Sequence, residues 1–320
     1  MTRELAPKLI IHGGAGFLEG NLAVTDAASG ALIHGHTRER VRAFHDALVG
    51  IVQETFGVLA ESDAWSAVLH GVRMLEDNPL FNAGTGAKLQ RDGLARMSAG
   101  LMDGPSARFC GVVNIEAVRH PIDVAARLFE ESHTILAAEK ATEFARGHGF
   151  PVYDPVTAER RREYERKVLG KAGTVGVVAL DRNGRIVAGT STGGIGGEIP
   201  GRVSDTATVA GNYASEFAGV SCTGVGEHIV NQASAARVAI RVSDGMPLAE
   251  AIEKTMDEAS RHRWLVGMIC ADRDGNLAYG QSRGINVLFA MHDGARIRTF
   301  LDEGGLADGI EPGHEHARKS

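Results

Sequence analysis

The junction at the centre of this chain does most to limit how it can fold. From Glu159 to Lys167 the sequence runs Glu-Arg-Arg-Arg-Glu-Tyr-Glu-Arg-Lys, eight charges in nine residues, which cannot line a core. It reads as a solvated linker or as an exposed charged helix. A few residues later the character inverts. Thr174 to Leu180 is an almost unbroken apolar run, Asp181-Arg182-Asn183-Gly184 is a turn, and Arg185 to Thr190 is a second strand. A buried hairpin thus begins directly after an accessible segment, with Gly173 and Thr174 at the boundary.

Such a hairpin needs covering elements, and the rest of the chain supplies them. Lys8 to Ile11 reads as a buried strand running into a tight glycine loop, His12-Gly13-Gly14-Ala15-Gly16. Val41, Phe44, Leu48 and Val52 recur at helical spacing between Thr37 and Leu59. A second helix starts at an N-cap, Ser62, and is closed by Asn78-Pro79. A third helical region opens at Pro121, with a break near Ser132, and ends at Gly147. The first half therefore reads as helix-rich. After the hairpin, strands are expected at 220–223, 265–271, 277–281 and 286–291, with helices over 227–243 and 248–259. Blocks of strands and helices without regular βαβ alternation point to an α+β fold with helices over antiparallel sheets.

The net charge of -6 over 320 residues gives no general attraction to nucleic acid or anionic lipid, so a small-molecule or dipeptide substrate is the expected partner. Cys110, Cys222 and Cys270 show no metal-type pairing, which suits a reducing compartment and leads to an expectation of a cytoplasmic protein. No apolar run reaches the roughly 20 residues that a spanning helix needs. His314 and His316 sit in a polar tail where adventitious metal affinity is the reading. Neither Gly13-Gly14-Ala15-Gly16 nor Gly193-Gly194-Ile195-Gly196-Gly197 matches a nucleotide loop.

Four segments could carry chemistry. A threonine freed as a chain terminus at Gly173-Thr174 would have its own α-amino group, reference pKa near 8, as the base for its hydroxyl. Ser191-Thr192-Gly193-Gly194 follows the second hairpin strand and could return a second hydroxyl, Thr192, to Thr174. Arg202 and Asp205 stand three residues apart, either as an ordinary surface salt bridge or as a pair able to hold an α-carboxylate and an α-ammonium group. Ser221 to Glu227 ends a strand and opens a helix, offering Thr223 and backbone N–H groups to an oxyanion, or simply a capping turn. His12 reads as a structural hydrogen-bonding group in its loop.

His12 to Gly16, Phe81 to Gly86, Met102 to Gly104, Gly173 to Asp181, Thr190 to Gly194, Gly201 to Asp205 and Ser221 to Glu227 occur together and in order. In this the chain resembles the plant-type L-asparaginases and isoaspartyl peptidases, hydrolases with an N-terminal threonine nucleophile. The resemblance implies a four-layer αββα sandwich. It implies self-cleavage at Gly173-Thr174, aided by His12 and Gly13, into an α subunit of residues 1–173, whose charged linker spans about 154–173, and a β subunit of 174–320. It also implies a dimer of such αβ pairs. Thr174 would be the nucleophile and Thr192 its assistant. Arg202, Asp205 and Gly226 would bind substrate, Thr223 and Gly224 would stabilise the oxyanion, and Asn82 would sit near the nucleophile.

No cofactor is required by this chemistry. The resemblance adds a structural Na+ or K+ held by backbone carbonyls of Leu75, Glu76, Asn78, Phe81, Ala83 and Thr85. The implied activity is hydrolysis of β-aspartyl dipeptides and L-asparagine; a glycosylasparaginase-like amide hydrolase and an uncleaved binding protein are the alternatives. The chain departs from the family pattern at Ser204 (usually glycine), Ala207 (usually proline) and Arg96 to Ala99, where an aspartate is usual.

Overall fold

The computed structural model describes residues 5–16, 24–25, 32–34, 38–166 and 173–303. In chain order the first part gives β1 (Lys8–Gly16), β2 (Val24–Thr25), β3 (Leu32–His34), α1 (Arg38–Glu61), α2 (Ala64–Asp77), β4 (Met97–Asp103) and β5 (Arg108–Ile115). Then come α3 (Pro121–Arg127), β6 (Ile135–Ala137), α4 (Ala138–Gly147) and α5 (Ala158–Glu165). After Gly173 follow β7 (Thr174–Leu180), β8 (Ile186–Thr192), β9 (Asn212–Ala214), β10 (Ala218–Gly224), α6 (Gly226–Gln232), α7 (Ser234–Ser243) and α8 (Leu248–Arg261). The last elements are β11 (Val266–Asp272), β12 (Leu277–Gln281), β13 (Asn286–His292), β14 (Ile297–Thr299) and α9 (Phe300–Glu303).

The expected mixed α+β content is present. Eight strands form one sheet in the order β14-β13-β1-β7-β8-β4-β5-β6, and four form a second in the order β12-β11-β10-β9. Every pairing in these two sheets is antiparallel except that of β5 with β6. Helices α1, α2 and α3 pack on the larger sheet and α7 and α8 on the smaller, while β10 and β11 contact β7 across the space between the sheets. The strands β7 and β8 are buried at every residue, because one face meets α2 and the other meets the second sheet. Covering on both faces explains why they read as continuous apolar runs rather than as alternating ones.

The larger sheet interleaves strands from both sides of residue 173. β7 lies between β1 and β8, and β8 lies between β7 and β4. A break at Gly173-Thr174 would leave the two pieces hydrogen-bonded along whole strands.

Several expectations need correction. The glycine segment after Ile11 is not a loop: β1 continues through Gly16, with a bulge between His12 and Ala15. The cap of α2 is Asp63, whose Oδ1 accepts from the Ser66 N–H at 2.8 Å, and not Ser62. The first half is less purely helical than its periodicity suggested. Met97 to Ile115 forms a strand pair, β4 and β5, whose small and polar residues hid it from an apolar-run reading. The helix expected over 227–243 breaks at Ala233, which takes a left-handed conformation with φ 52° between α6 and α7.

The charged run is helical as far as Glu165, and residues 167–172 lie outside the described set, as do His314 and His316. Contrary to expectation, one of its residues is buried: Arg160, 5% exposed, donates from Nε to Gly86 O at 2.7 Å and from Nη1 to Glu163 Oε2 at 2.8 Å. Cys110, Cys222 and Cys270 are all buried and free. Among the described residues no helix is long and apolar enough to cross a membrane.

Candidate active site

Antiparallel pairing of β7 with β8 sets Thr174 directly opposite Thr192. Their hydroxyls meet, with Thr174 Oγ donating to Thr192 Oγ at 3.4 Å. Both residues are nearly inaccessible, at 6% and 3% exposure. The Thr192 hydroxyl donates to the Gly173 carbonyl oxygen at 3.2 Å and accepts from the Gly194 N–H at 3.1 Å.

Asn82 approaches the same carbonyl from the loop after α2. Its Nδ2 donates to Gly173 O at 2.8 Å and to Gly194 O at 2.5 Å, while its Oδ1 accepts from the Lys88 N–H at 2.9 Å. The oxygen of the bond preceding Thr174 therefore has two side-chain donors aimed at it, an arrangement that favours negative charge developing there. A Cβ on Gly14 would lie 3.3 Å from the Gly173 Cα, so the bulged glycine strand also lies against this peptide. His12, just before it, is wholly buried.

A second group of residues gathers at the N-terminus of α6. A side chain at Gly226 would place its Cβ 2.8 Å from Asp205 Oδ1 and 2.9 Å from both Arg202 Nη2 and Ser204 Oγ. Glycine leaves room there for three polar side-chain ends that a Cβ would displace. Arg202 does not pair with Asp205, as the spacing allowed, but with Glu227. Nε donates to Glu227 Oε1 at 2.6 Å and Nη2 to Oε2 at 2.8 Å, leaving Nη1 without a hydrogen bond among the described residues. Burial works against the Arg202 charge, yet the Glu227 carboxylate raises its pKa above the usual value.

Asp205 is 2% exposed, and its Oδ2 has no hydrogen-bond partner among the described residues. Burial pushes its pKa up to about 6, against the hydrogen bond that Ser204 Oγ donates to Oδ1 at 2.8 Å. The serine that departs from the family pattern is thus in direct contact with this carboxylate. Ser98, another departure, sits opposite Thr192 across the β4–β8 pairing. Thr223, near the end of β10, is fully buried, its hydroxyl has no partner among the described residues, and Gly224 follows at φ 134°. An orphaned hydroxyl in a water-poor site is expensive unless a ligand satisfies it.

Sequence reasoning missed Lys88 and Glu198. Glu198 is 7% exposed, and a Cβ on Gly194 would lie 1.9 Å from its Oε1, so its carboxylate rests on the backbone that Asn82 and Thr192 hold. Lys88, largely buried, has its pKa pushed down to about 8 by burial. Neither lies in a motif, and nothing local marks them.

The loop 75–85 fits a monovalent ion in donor chemistry. Gly84 and Gly86 turn with φ 51° and 99°, and a Cβ on them would fall 2.4 Å from Glu76 O and 2.8 Å from Phe81 O, so backbone carbonyls of the loop crowd together there. Glu76 Oε2 is buried without a hydrogen-bond partner among the described residues. Some of the capacity is already used: Thr85 N–H donates to Glu76 O at 2.6 Å, and Arg160 Nη2 reaches Phe81 O at 3.4 Å. Among the described residues there is no His, Cys, Asp and Glu cluster able to hold a metal ion.

The sequence matches the family described as Asparaginase over residues 5–171 and 165–301. It is 43% identical to an isoaspartyl peptidase/L-asparaginase of Synechocystis sp., covering 97% of this chain and 94% of that one. It is 36% identical to a plant-type L-asparaginase of Pyrococcus furiosus, covering 86% and 92%, and 33% identical to an isoaspartyl peptidase of Escherichia coli, covering 84% and 88%. Similarity of this extent, on a chain whose motifs converge as described, means that the protein belongs to the asparaginase family.

Proposed function

We propose that the protein is a self-cleaving amidohydrolase that releases L-aspartate from β-aspartyl dipeptides and from L-asparagine. The observation that carries this reading is the Gly173 carbonyl, held by Asn82 and Thr192 beside the Thr174 hydroxyl. In maturation Thr174 Oγ attacks the Gly173 carbonyl carbon and the peptide C–N bond breaks. The nitrogen takes up the proton, and water then hydrolyses the ester. Residues 1–173 and 174–320 remain together through the interleaved sheet.

The freed α-amine of Thr174 then takes the proton from Oγ, which attacks the β-carbonyl of the substrate. Arg202 Nη1 binds the substrate α-carboxylate and Asp205 the α-ammonium, both at Gly226. The Thr223 hydroxyl and the Gly224 N–H stabilise the oxyanion. The leaving amine departs with the proton, and water releases aspartate from the acyl-enzyme. In this reading the two sheets and their covering helices are the αββα sandwich of N-terminal nucleophile hydrolases. Two αβ pairs form the working dimer in the cytoplasm, and the Leu75–Thr85 carbonyls would hold a structural Na+ or K+.

The test is intact mass and N-terminal sequencing of the purified protein beside Thr174→Ala, then aspartate release from β-aspartyl-leucine and asparagine. Two fragments, one starting at Thr174 and both absent in the variant, with aspartate released, are expected. A single uncut chain without activity sinks the proposal.

A further inference from the structure

Below the reacting residues lies a second polar layer that the mechanism above does not use. His12, Thr190, Asn212 and Ser221 are each 0% exposed, yet all are hydrogen-bonded to one another in sequence. Counting donors fixes the direction of the chain. The Gly14 N–H donates to His12 Nδ1 at 3.3 Å, so that nitrogen carries the lone pair. Burial pushes the His12 pKa down to about 3, against a hydrogen bond with the Thr174 backbone, so the ring is neutral and its proton is on Nε2. Nε2 lies 2.9 Å from Ser221 Oγ. Thr190 gives its hydroxyl proton to Asn212 Oδ1 at 2.9 Å, so in the 2.7 Å contact between Ser221 and Thr190 the serine donates. Asn212 Nδ2 ends the chain on Ala188 O at 3.1 Å.

Strand periodicity relates this layer to the one above it. Thr190 is two residues before Thr192 and Ser221 two before Thr223, so each shares a face with a residue of the site, while His12 stands just before the bulge of β1. On the nucleophile strand the matching position, two residues after Thr174, is Gly176. A Cβ there would fall 2.0 Å from Ser221 Oγ and 2.4 Å from His12 Nε2, so a bare backbone is what lets the chain pass from β1 across to β10. An apolar layer would fill the space without the desolvation cost of four polar side chains. What hydrogen bonds add is direction, because they fix relative strand positions that apolar contacts leave looser.

We infer that His12, Ser221 and Thr190 are positioning residues. Their hydrogen-bond chain locks the strands of the two sheets so that Thr174, Thr192 and Thr223 meet one reacting carbonyl. The inference rests on the function proposed above. Its test is Thr190→Val, which removes the hydroxyl at nearly constant volume, with Thr190→Ser to restore it. The readouts are the rate of self-cleavage, kcat and KM for asparagine on the cut fraction, and Tm.

Thr190→Val is expected to lower both the cleavage rate and kcat about tenfold or more, the scale of a sub-ångström misplacement, with KM within about twofold. Thr190→Ser is expected to recover both rates. Should the valine variant not fold, Ser221→Ala is read in the same way. A fall in Tm with cleavage rate and kcat unchanged, or a serine variant no better than valine, overturns the inference alone. A wild-type chain that neither cuts itself nor releases aspartate overturns the functional reading, and this inference with it.

Discussion

Replacing Asn82 should separate the cleavage step from the fold. Its Nδ2 contributes the shorter of the two side-chain hydrogen bonds to Gly173 O, 2.8 Å against 3.2 Å from Thr192. Removing one donor from an oxyanion site costs about 100- to 1,000-fold in rate. Because Thr192 still donates to the same oxygen, Asn82→Ala is expected near the lower end, about 100-fold slower self-cleavage. The alanine variant also loses the bonds to Gly194 O and from the Lys88 N–H, so its stability should fall by roughly 3 kcal/mol at about 1 kcal/mol each. Asn82→Asp separates the two effects, since its side chain can still accept from Lys88 N–H while presenting no amide donor to Gly173. The assay is densitometry of uncut chain against time on denaturing gels, started from freshly made precursor, with Tm measured in parallel. If both variants cleave at the wild-type rate, the hydrogen bonds to the Gly173 carbonyl do not stabilise the transition state and the maturation mechanism must be redrawn.

Four further outcomes follow from the same geometry. Asp205 is held up at about 6 by burial, so its charged form is lost as pH falls through that value; KM for asparagine should rise below pH 6, and Ser204→Ala, by removing a bond to the carboxylate, should move that rise to higher pH. Thr223→Val deletes a buried hydroxyl that has no partner among the described residues, so Tm should hold or increase while kcat drops about 100-fold or more; an unaltered kcat removes Thr223 from the oxyanion role. Gly226→Ala thrusts a Cβ among Asp205, Arg202 and Ser204 and should raise KM at least tenfold, on the order of 1.4 kcal/mol, in steady-state assays. His12 stays neutral in the fold down to about pH 3, whereas an unfolded histidine takes up a proton below about 6.5; between these values the unfolded state binds more protons, so denaturant titrations should show stability falling as pH falls through that window.

The sequence by itself determined the elements whose residues carry their own instructions. The apolar runs of β7 and β8, the Asp181–Gly184 turn and the 3.6-residue periodicity of α1 are local patterns, and each element appeared where its pattern lay. Motif order likewise brought Thr174, Thr192, Arg202, Asp205 and Thr223 to notice. Met97 to Ile115 escaped because β4 and β5 are strands by virtue of their neighbours: Ser98 and Gly100 have little strand propensity, and β8 supplies the partner edge.

Tertiary structure alone decided which partner each polar group takes. Arg202 pairs with Glu227 rather than with Asp205 three residues on, and Arg160 reaches out of its charged helix to Gly86 O. It alone aligned His12, Ser221 and Thr190, which lie as many as 209 residues apart. Hydrogen-bond and ion-pair choices depend on distances of a few tenths of an ångström between segments remote in sequence, and no local pattern encodes such distances.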